Sequence, residues 1–589
     1  MSEQTSPTAG AGAAAPATIL GIIIGAAVLG TASWLGGTLG AALGGGGWAP
    51  PPYSIATGVD FLKGGPSALW PEAPTGGLVG MLVLLVLVAV SLVVAGVLLW
   101  RRFRPGSGLG GRREMRALGK KAAEERARQL RPELAKVKEL ETRDLGVRLG
   151  ELAPNGVDGP FGPELYGSDE DTYTVVMGPR AGKTSGLAVP ILLDAPGAAL
   201  LTSNRNDAYA ITRRERARHG TTHTFDLQQI TYAERDVWVD LLSSARSIEG
   251  ASRLAMHFIN ADSDTRAADD FWAKAGSNTL MALFHAAAVS GATFDDVLRW
   301  LDTPADRAPV NALKSSNPAL ASRLSSTVAG AVETRDGIYE TARQATNCLL
   351  DPEIRAWVTP DKSRPKFDPY AFVTSKDTAY LLSKDGGGSA AAITASIADL
   401  IFRGGTLAAE RNGTGRLPIP LRAVLDEAAN VCRIADLPKL YSHLGGRGIN
   451  PVTILQSYKQ GSMVWSEGGM DALWVASTVK LLGAGQDDAD FAENISKLAG
   501  KHDVRDISTS HGSSGRSTSL GQREKEILQA SKVRQLERGH GLVWASGTPM
   551  ARFRLTPWMF SEQAETLKAD KAAEEKAITA RANEAEVIL

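Results

Sequence analysis

Beyond residue 172 the chain alternates short apolar runs with longer, mixed stretches. The runs fall at 173–177, 198–202, 222–225, 378–382, 421–425, 452–455, 479–482 and 541–545, and most are followed by turn residues and then by helical periodicity. Runs this short and this uniformly apolar suit strands buried on both faces, so the pattern predicts an α/β fold with a mainly parallel sheet covered by helices. From 237 to 368 the rhythm breaks. Apolar residues there recur at 3.6-residue spacing, as over 270–290 and 296–301, which predicts an all-helical insertion interrupting the α/β part. Within it Phe271, Trp272, Phe284 and Trp300 predict core positions, with exposed anchors as the alternative. Residues 508–522, rich in Ser, Gly and Thr, predict a mobile loop, and 562–587, an Ala/Glu/Lys helix without a strong apolar stripe, predicts a solvent-exposed tail rather than a docked peptide.

Near the start the pattern is of another kind. Residues 18–43 and 77–100 carry no charge at all, and each stretch exceeds the ~20 residues a helix needs to cross a bilayer. Two transmembrane helices are expected, with Gly21-x-x-x-Gly25 and Gly36-x-x-x-Gly40 offering close helix packing. The chain as a whole is balanced, with 64 basic and 64 acidic residues, so net charge says nothing about a polyanionic partner. Its distribution says more: 101–148 holds 15 Lys/Arg against 7 Asp/Glu, directly after the second apolar run. Arg101, Arg102 and Arg104 at that boundary place the remainder of the chain, and with two spans the N-terminus too, in the cytoplasm. The two cysteines, Cys348 and Cys432, support neither a disulfide framework nor a cysteine metal site.

Chemistry concentrates at two of the strand ends. After the run at 173–177 come Gly178, Pro179, Arg180, Ala181, Gly182, Lys183, Thr184 and Ser185. A glycine turn between strand and helix exposes backbone N–H groups to a polyphosphate, Lys183 reaches the β- and γ-phosphates, and the Thr184 hydroxyl holds Mg²⁺. The spacing departs from G-x-x-x-x-G-K-[ST]: three residues separate Gly178 from Gly182, and Met177 stands where the first glycine is expected. The run at 421–425 ends in Asp426-Glu427-Ala428-Ala429-Asn430. A carboxylate closing a core strand suits a second Mg²⁺ ligand, here Asp426, and the adjacent Glu427 suits orienting and activating water.

These residues resemble the type IV coupling proteins of conjugative DNA transfer, TraG/TraD-like members of the FtsK/HerA group of ring motors. The resemblance spans 172–557 and rests on the glycine loop, Thr202-Ser203-Asn204-Arg205-Asn206-Asp207, the 425–430 segment with Asp436-Leu437-Pro438, Gly445-Gly446-Arg447-Gly448-Ile449, and Ile454-Leu455-Gln456-Ser457-Tyr458-Lys459-Gln460. The Ala-, Gly-, Arg- and Asp-heavy composition resembles that of actinobacterial proteins. One departure is Arg205, where the family often has Lys.

The resemblance implies a P-loop NTPase of RecA/FtsK-like fold that uses ATP and Mg²⁺. It implies a homo-hexamer in the inner membrane that passes single- or double-stranded DNA, recruits a relaxase or relaxosome proteins, and delivers them to the channel components of a type IV secretion system. Gln456 would report the γ-phosphate, and Arg447, with Arg205 second, would complete a neighbouring subunit's site. The expected organisation is a cytoplasmic N-terminus (1–17), membrane helix (18–43), outer loop (44–76), second membrane helix (77–100), basic stem (101–150), nucleotide-binding part (151–236), all-helical domain (237–368), second nucleotide-binding part (369–560) and charged helical tail (561–589). Two other readings stand beside it: a receptor for secreted protein with nucleotide as an assembly switch, and a chromosome-segregation translocase.

Overall fold

Every one of the eight apolar runs forms a strand. The computed structural model describes residues 30–103, 108–153, 162–261, 271–384, 390–512 and 515–585, and the chain divides into two units, Met1–Gly106 and Ser107–Leu589. In the larger unit the strands are β1 (Val147–Leu152), β2 (Glu164–Gly167), β3 (Tyr173–Val176), β4 (Ala199–Ser203), β5 (Thr222–Asp226), β6 (Thr378–Leu382), β7 (Leu421–Leu425), β8 (Ile449–Leu455), β9 (Val479–Gly483), β10 (Lys501–Gly512), β11 (Gly515–Glu526), β12 (His540–Ala545) and β13 (Ala551–Arg554).

Eleven of them make one sheet in the order β2-β1-β13-β12-β9-β3-β8-β7-β4-β6-β5. From β9 to β5 every pairing is parallel, and from β9 outward through β12, β13, β1 and β2 every pairing is antiparallel. In β3, β4, β6, β7 and β8 all residues are buried, which is why these strands read as unbroken apolar runs. Because β3, β7 and β8 are parallel and lie side by side, the segments after Val176, Leu425 and Leu455 leave the sheet at one carboxyl edge. Open α/β sheets place their ligands at that edge.

Between β5 and β6 the regular elements among the described residues are all helices, with one isolated bridge, Trp238↔Lys366. These helices share a core with the sheet: Phe258, Phe284 and Phe294, with ring centroids 5.3–6.2 Å apart, join Phe225, Leu381 and Leu425 in one buried cluster. Phe284 and Trp300 are core residues as expected, whereas Phe271 and Trp272 are 60% and 40% exposed. The helix Ala391–Arg411 is apolar and long enough to cross a membrane, yet 78% of its apolar window is buried in this unit, and it is a core helix.

Three segments differ from expectation. The Ser/Gly/Thr-rich stretch belongs to the antiparallel pair β10–β11, in register from Lys501↔Glu526 to Gly512↔Gly515, rather than to a loop. The basic stretch 101–150, whose density of Ala, Glu, Arg and Lys predicts a charged helical stem, is α-helical after residue 107 only over Lys120–Leu130; Ala123 and Ala127 of that helix bury with Leu134, Leu140, Leu145 and Tyr166, and the chain enters β1 at Val147. The tail helix Ala564–Glu584 is docked, not solvated all round. Leu567 and Ile578 join the core, and the fully buried Glu574 carboxylate accepts from Arg214 Nε at 3.0 Å and lies within 3.4 Å of Arg213 and Arg581. The contact combines ion pairs with two apolar side chains that make no continuous stripe, so hydrophobic periodicity gave no sign of it.

In the smaller unit, residues 30–41 are helical and Thr75–Phe103 forms a helix of 29 residues. The two approach closely where Gly36 stands: a Cβ there would lie 3.2 Å from the Leu82 Cα and 2.9 Å from Leu85 Cδ1. Residues 18–29 of the expected first span lie outside the described residues.

Candidate nucleotide site

The glycine loop is built one residue later than its motif suggests. Met177 continues β3, its N–H donating to Leu455 O at 2.9 Å, and its side chain is fully buried against Gly483. Gly178 then takes the close-approach role, because a Cβ there would collide with the Gly485 carbonyl. Gly182 (φ +96°) makes the left-handed turn that brings Lys183 to the start of the helix Thr184–Leu193. Pro179 and Arg180 are exposed at the tip and Ala181 is buried beneath it. The Ser185 hydroxyl turns back to Gly182 O (3.4 Å). The first N–H groups of a helix have no partner within it, so the loop and this helix start present donors to an anion.

The two sequence motifs meet here. Lys183 Nζ forms an ion pair with Glu427 Oε1, with both side chains about nine-tenths buried. The Thr184 hydroxyl donates to Asp426 Oδ2 at 3.3 Å, while Thr202 of the neighbouring β4 donates to the Asp426 carbonyl at 2.8 Å. Asp426 Oδ1 is buried without a hydrogen-bond partner. Burial pushes the Asp426 carboxyl up to about 6; Lys183 opposes this shift, and Glu427 and Asp207 add to it. An orphaned carboxylate oxygen beside a threonine hydroxyl fits a hard divalent cation, which favours oxygen ligands and would hold the carboxyl ionised.

Glu427 adopts left-handed backbone (φ +54°), rare for a non-glycine residue. That turn lets its carboxylate face Lys183 through Oε1 while Oε2 accepts from Gln456 Nε2 at 2.6 Å and Asn430 Nδ2 at 3.4 Å. Gln456 comes directly after β8, one strand from each motif, so β3, β7 and β8 each contribute to a single cluster.

Arg447 is not part of it. It ends the turn Gly445–Arg447 that enters β8 at the amino edge of the sheet, and its Nη2 lies 3.2 Å from Glu410 Oε1. Arg205 is exposed just after β4, on the carboxyl edge. Thr202, Asn430 and Gln460, which stand in the quoted motifs but were given no role there, and Gln486, which stands outside them, complete the surroundings. Asn430 and Gln460 lie three and four residues beyond Glu427 and Gln456, within one helical turn, and Thr202 closes a predicted strand, but such placement assigns no role without the partners; Gln486 carried no signal.

Residues 420–538 match the family described as "TraM recognition site of TraD and TraG", a stretch that includes Asp426, Glu427, Arg447 and Gln456 but not the glycine loop. Among solved structures the chain is similar to the bacterial conjugative coupling protein TrwBdeltaN70 in its unbound monoclinic form. That likeness has 15% identity, covers 66% of this chain and 85% of that one, and has a TM-score of 0.50. The plasmid coupling protein TrwB in complex with ADP and Mg²⁺ is similar at 15% identity over 67% and 88% of the two chains, with a TM-score of 0.49. VirB4 of Thermoanaerobacter pseudethanolicus is similar at 13% identity over 72% and 98%, with a TM-score of 0.41. No curated protein matches the sequence. The resemblance to type IV coupling proteins therefore stands on a family match over 420–538 and on a shared α/β fold, and none of the matches bears on the actinobacterial composition.

Proposed function

We propose that this chain is a membrane-anchored ATPase that couples ATP hydrolysis to the passage of DNA, with its relaxase or relaxosome proteins, into a type IV secretion channel. The observation that carries the reading is the convergence of Lys183 and Thr184 on Asp426 and Glu427 at one sheet edge. ATP and Mg²⁺ as ligands are supported by the chemistry of those four side chains, and the coupling-protein assignment by the match over 420–538.

Phosphoryl transfer to water needs charge neutralisation and alignment more than covalent help. Lys183 exchanges Glu427 for the β- and γ-phosphates, while the N–H groups of 182–185 surround them. Thr184 and Asp426 would hold Mg²⁺, which would supply charge neutralisation at the phosphates. Glu427, released at Oε1, accepts a proton from the attacking water while Gln456 keeps hold of Oε2. Lys183→Ala is expected to abolish hydrolysis. Glu427→Gln is expected to retain nucleotide binding and lose ~10²–10⁴-fold in kcat, the usual worth of a general base; normal turnover by Glu427→Gln refutes the assignment.

The organisation that fits this reading keeps the membrane helices at 18–43 and 77–100, the stem at 101–150, and a nucleotide-binding domain in two parts, 151–236 and 369–560, around the helices of 237–368. The helix Thr75–Phe103 supports an anchor: its 29 residues extend ~43 Å at 1.5 Å per residue, more than the ~30 Å hydrocarbon thickness of a bilayer. Val83, Leu84, Leu87, Val90, Leu92 and Val94 are 45–67% exposed on it, a surface suited to lipid. A closed homo-hexamer places each site at a subunit boundary, where Arg447 or Arg205 of a neighbour completes it. The receptor reading draws on the match to a TraM recognition site, and it differs in predicting that Glu427→Gln still supports transfer.

A further inference from the structure

We propose that Asn430 and Gln460 are positioning residues that hold Glu427 and Gln456 in their hydrolytic arrangement once nucleotide has taken Lys183 away. This rests on the hydrolytic reading above.

Four residues close a ring of hydrogen bonds between the ends of β7 and β8. Glu427 Oε2 accepts from Gln456 Nε2 (2.6 Å) and from Asn430 Nδ2 (3.4 Å). Gln460 joins the two donors from behind: its Nε2 donates to Asn430 Oδ1 (2.6 Å) and its Oε1 accepts from the Gln456 backbone N–H (3.1 Å). Outside the ring, Gln486, 2% exposed, donates to the Gln456 carbonyl at 3.0 Å, so Gln456 is fixed at its N–H, its carbonyl and its side chain. Gln460 is itself set by the start of its helix, Tyr458–Ala476, where its N–H donates to the capping Ser457 hydroxyl at 3.1 Å.

The ring matters because nucleotide binding strips the Glu427 carboxylate of a partner. Oε1 is paired with Lys183, and a triphosphate outcompetes one carboxylate for that ammonium by charge alone. Glu427 then keeps only its two amide donors on Oε2, and a glutamate side chain with free torsions is a poor base unless something fixes it. A primary amide offers donor and acceptor together, as residue 460 must to bridge Asn430 Oδ1 and the Gln456 N–H. Leucine at 460 loses both bonds, and alanine at 430 breaks the ring and removes one donor from Glu427.

The test is steady-state ATP hydrolysis by the full chain in detergent, with binding of a non-hydrolysable ATP analogue measured alongside. Asn430→Ala and Gln460→Leu are expected to lower kcat about 10- to 100-fold, less than loss of the base itself, with KM and analogue affinity within about twofold. In a Glu427→Gln background neither change is expected to lower kcat further, because residues acting through one group are not additive. Unchanged kcat in both single variants overturns the proposal, as does an unreduced penalty in the Glu427→Gln background or a parallel loss of analogue binding. Failure of the hydrolytic reading looks different: Lys183→Ala and Glu427→Gln themselves then leave hydrolysis unmoved.

Discussion

Asp426 illustrates at the scale of one residue how the site trades stability for chemistry. Its carboxyl is raised to about 6, so at neutral pH folding holds ionised a group that burial disfavours. Asp426→Asn is therefore expected to raise stability in EDTA by about 3 kcal/mol, for a shift of roughly two pKa units, read as a higher melting temperature, and to abolish the further rise expected when Mg²⁺ is added to the unaltered protein. Met177 carries a second prediction. Restoring the motif with Met177→Gly is expected to cost about 2–5 kcal/mol by emptying a core position, without improving nucleotide affinity, as denaturant unfolding and analogue titration will measure. The spacing anomaly at this position was visible in the sequence, but its cause was not. Whether residue 177 belongs to the loop or the strand is decided by Leu455 and Gly483, which lie far away along the chain. Lys183, Thr184, Asp426 and Glu427 were legible because their chemistry derives from residue type and strand position. Asn430 and Gln460 were not, since an amide in a helix's first turn is ordinary until its partners are known.

Among the elements, legibility tracks burial. The parallel strands β3 to β9 declare themselves because both faces are covered, whereas β1, β2 and β13 are antiparallel, partly exposed, and carry Arg148, Glu151, Glu164 and Arg554 among their apolar residues. No run of apolar residues marks them. The pair β10–β11 escaped for another reason, since Ser, Thr and Gly are read as loop composition whether or not the backbone pairs. The tail is the instructive case, because Glu574 is its most buried side chain and an acidic residue is ordinarily assigned to solvent. Glu574→Ala leaves three arginines without that partner. Because Arg213 and Arg214 remain partly exposed, water relieves some of the loss, and a destabilisation of about 1–3 kcal/mol is expected by thermal unfolding.

At the scale of the whole molecule, the proposed function puts a membrane anchor, a basic stretch and a motor on one chain. A topology reporter fused after Arg113 is expected on the cytoplasmic side, as the arginines at 101, 102 and 104 dictate, and an extracytoplasmic signal overturns the assigned orientation. Grip on DNA by its phosphates predicts binding that is indifferent to sequence and weakened by salt. The most direct measurement is the rate of ATP hydrolysis by the full chain in detergent at low salt, with and without single- or double-stranded DNA and with Lys183→Ala as control. A DNA-coupled motor is expected to show hydrolysis that DNA stimulates several-fold, that loses this stimulation as salt rises, and that vanishes in Lys183→Ala. A rate unmoved by either form of DNA contradicts it.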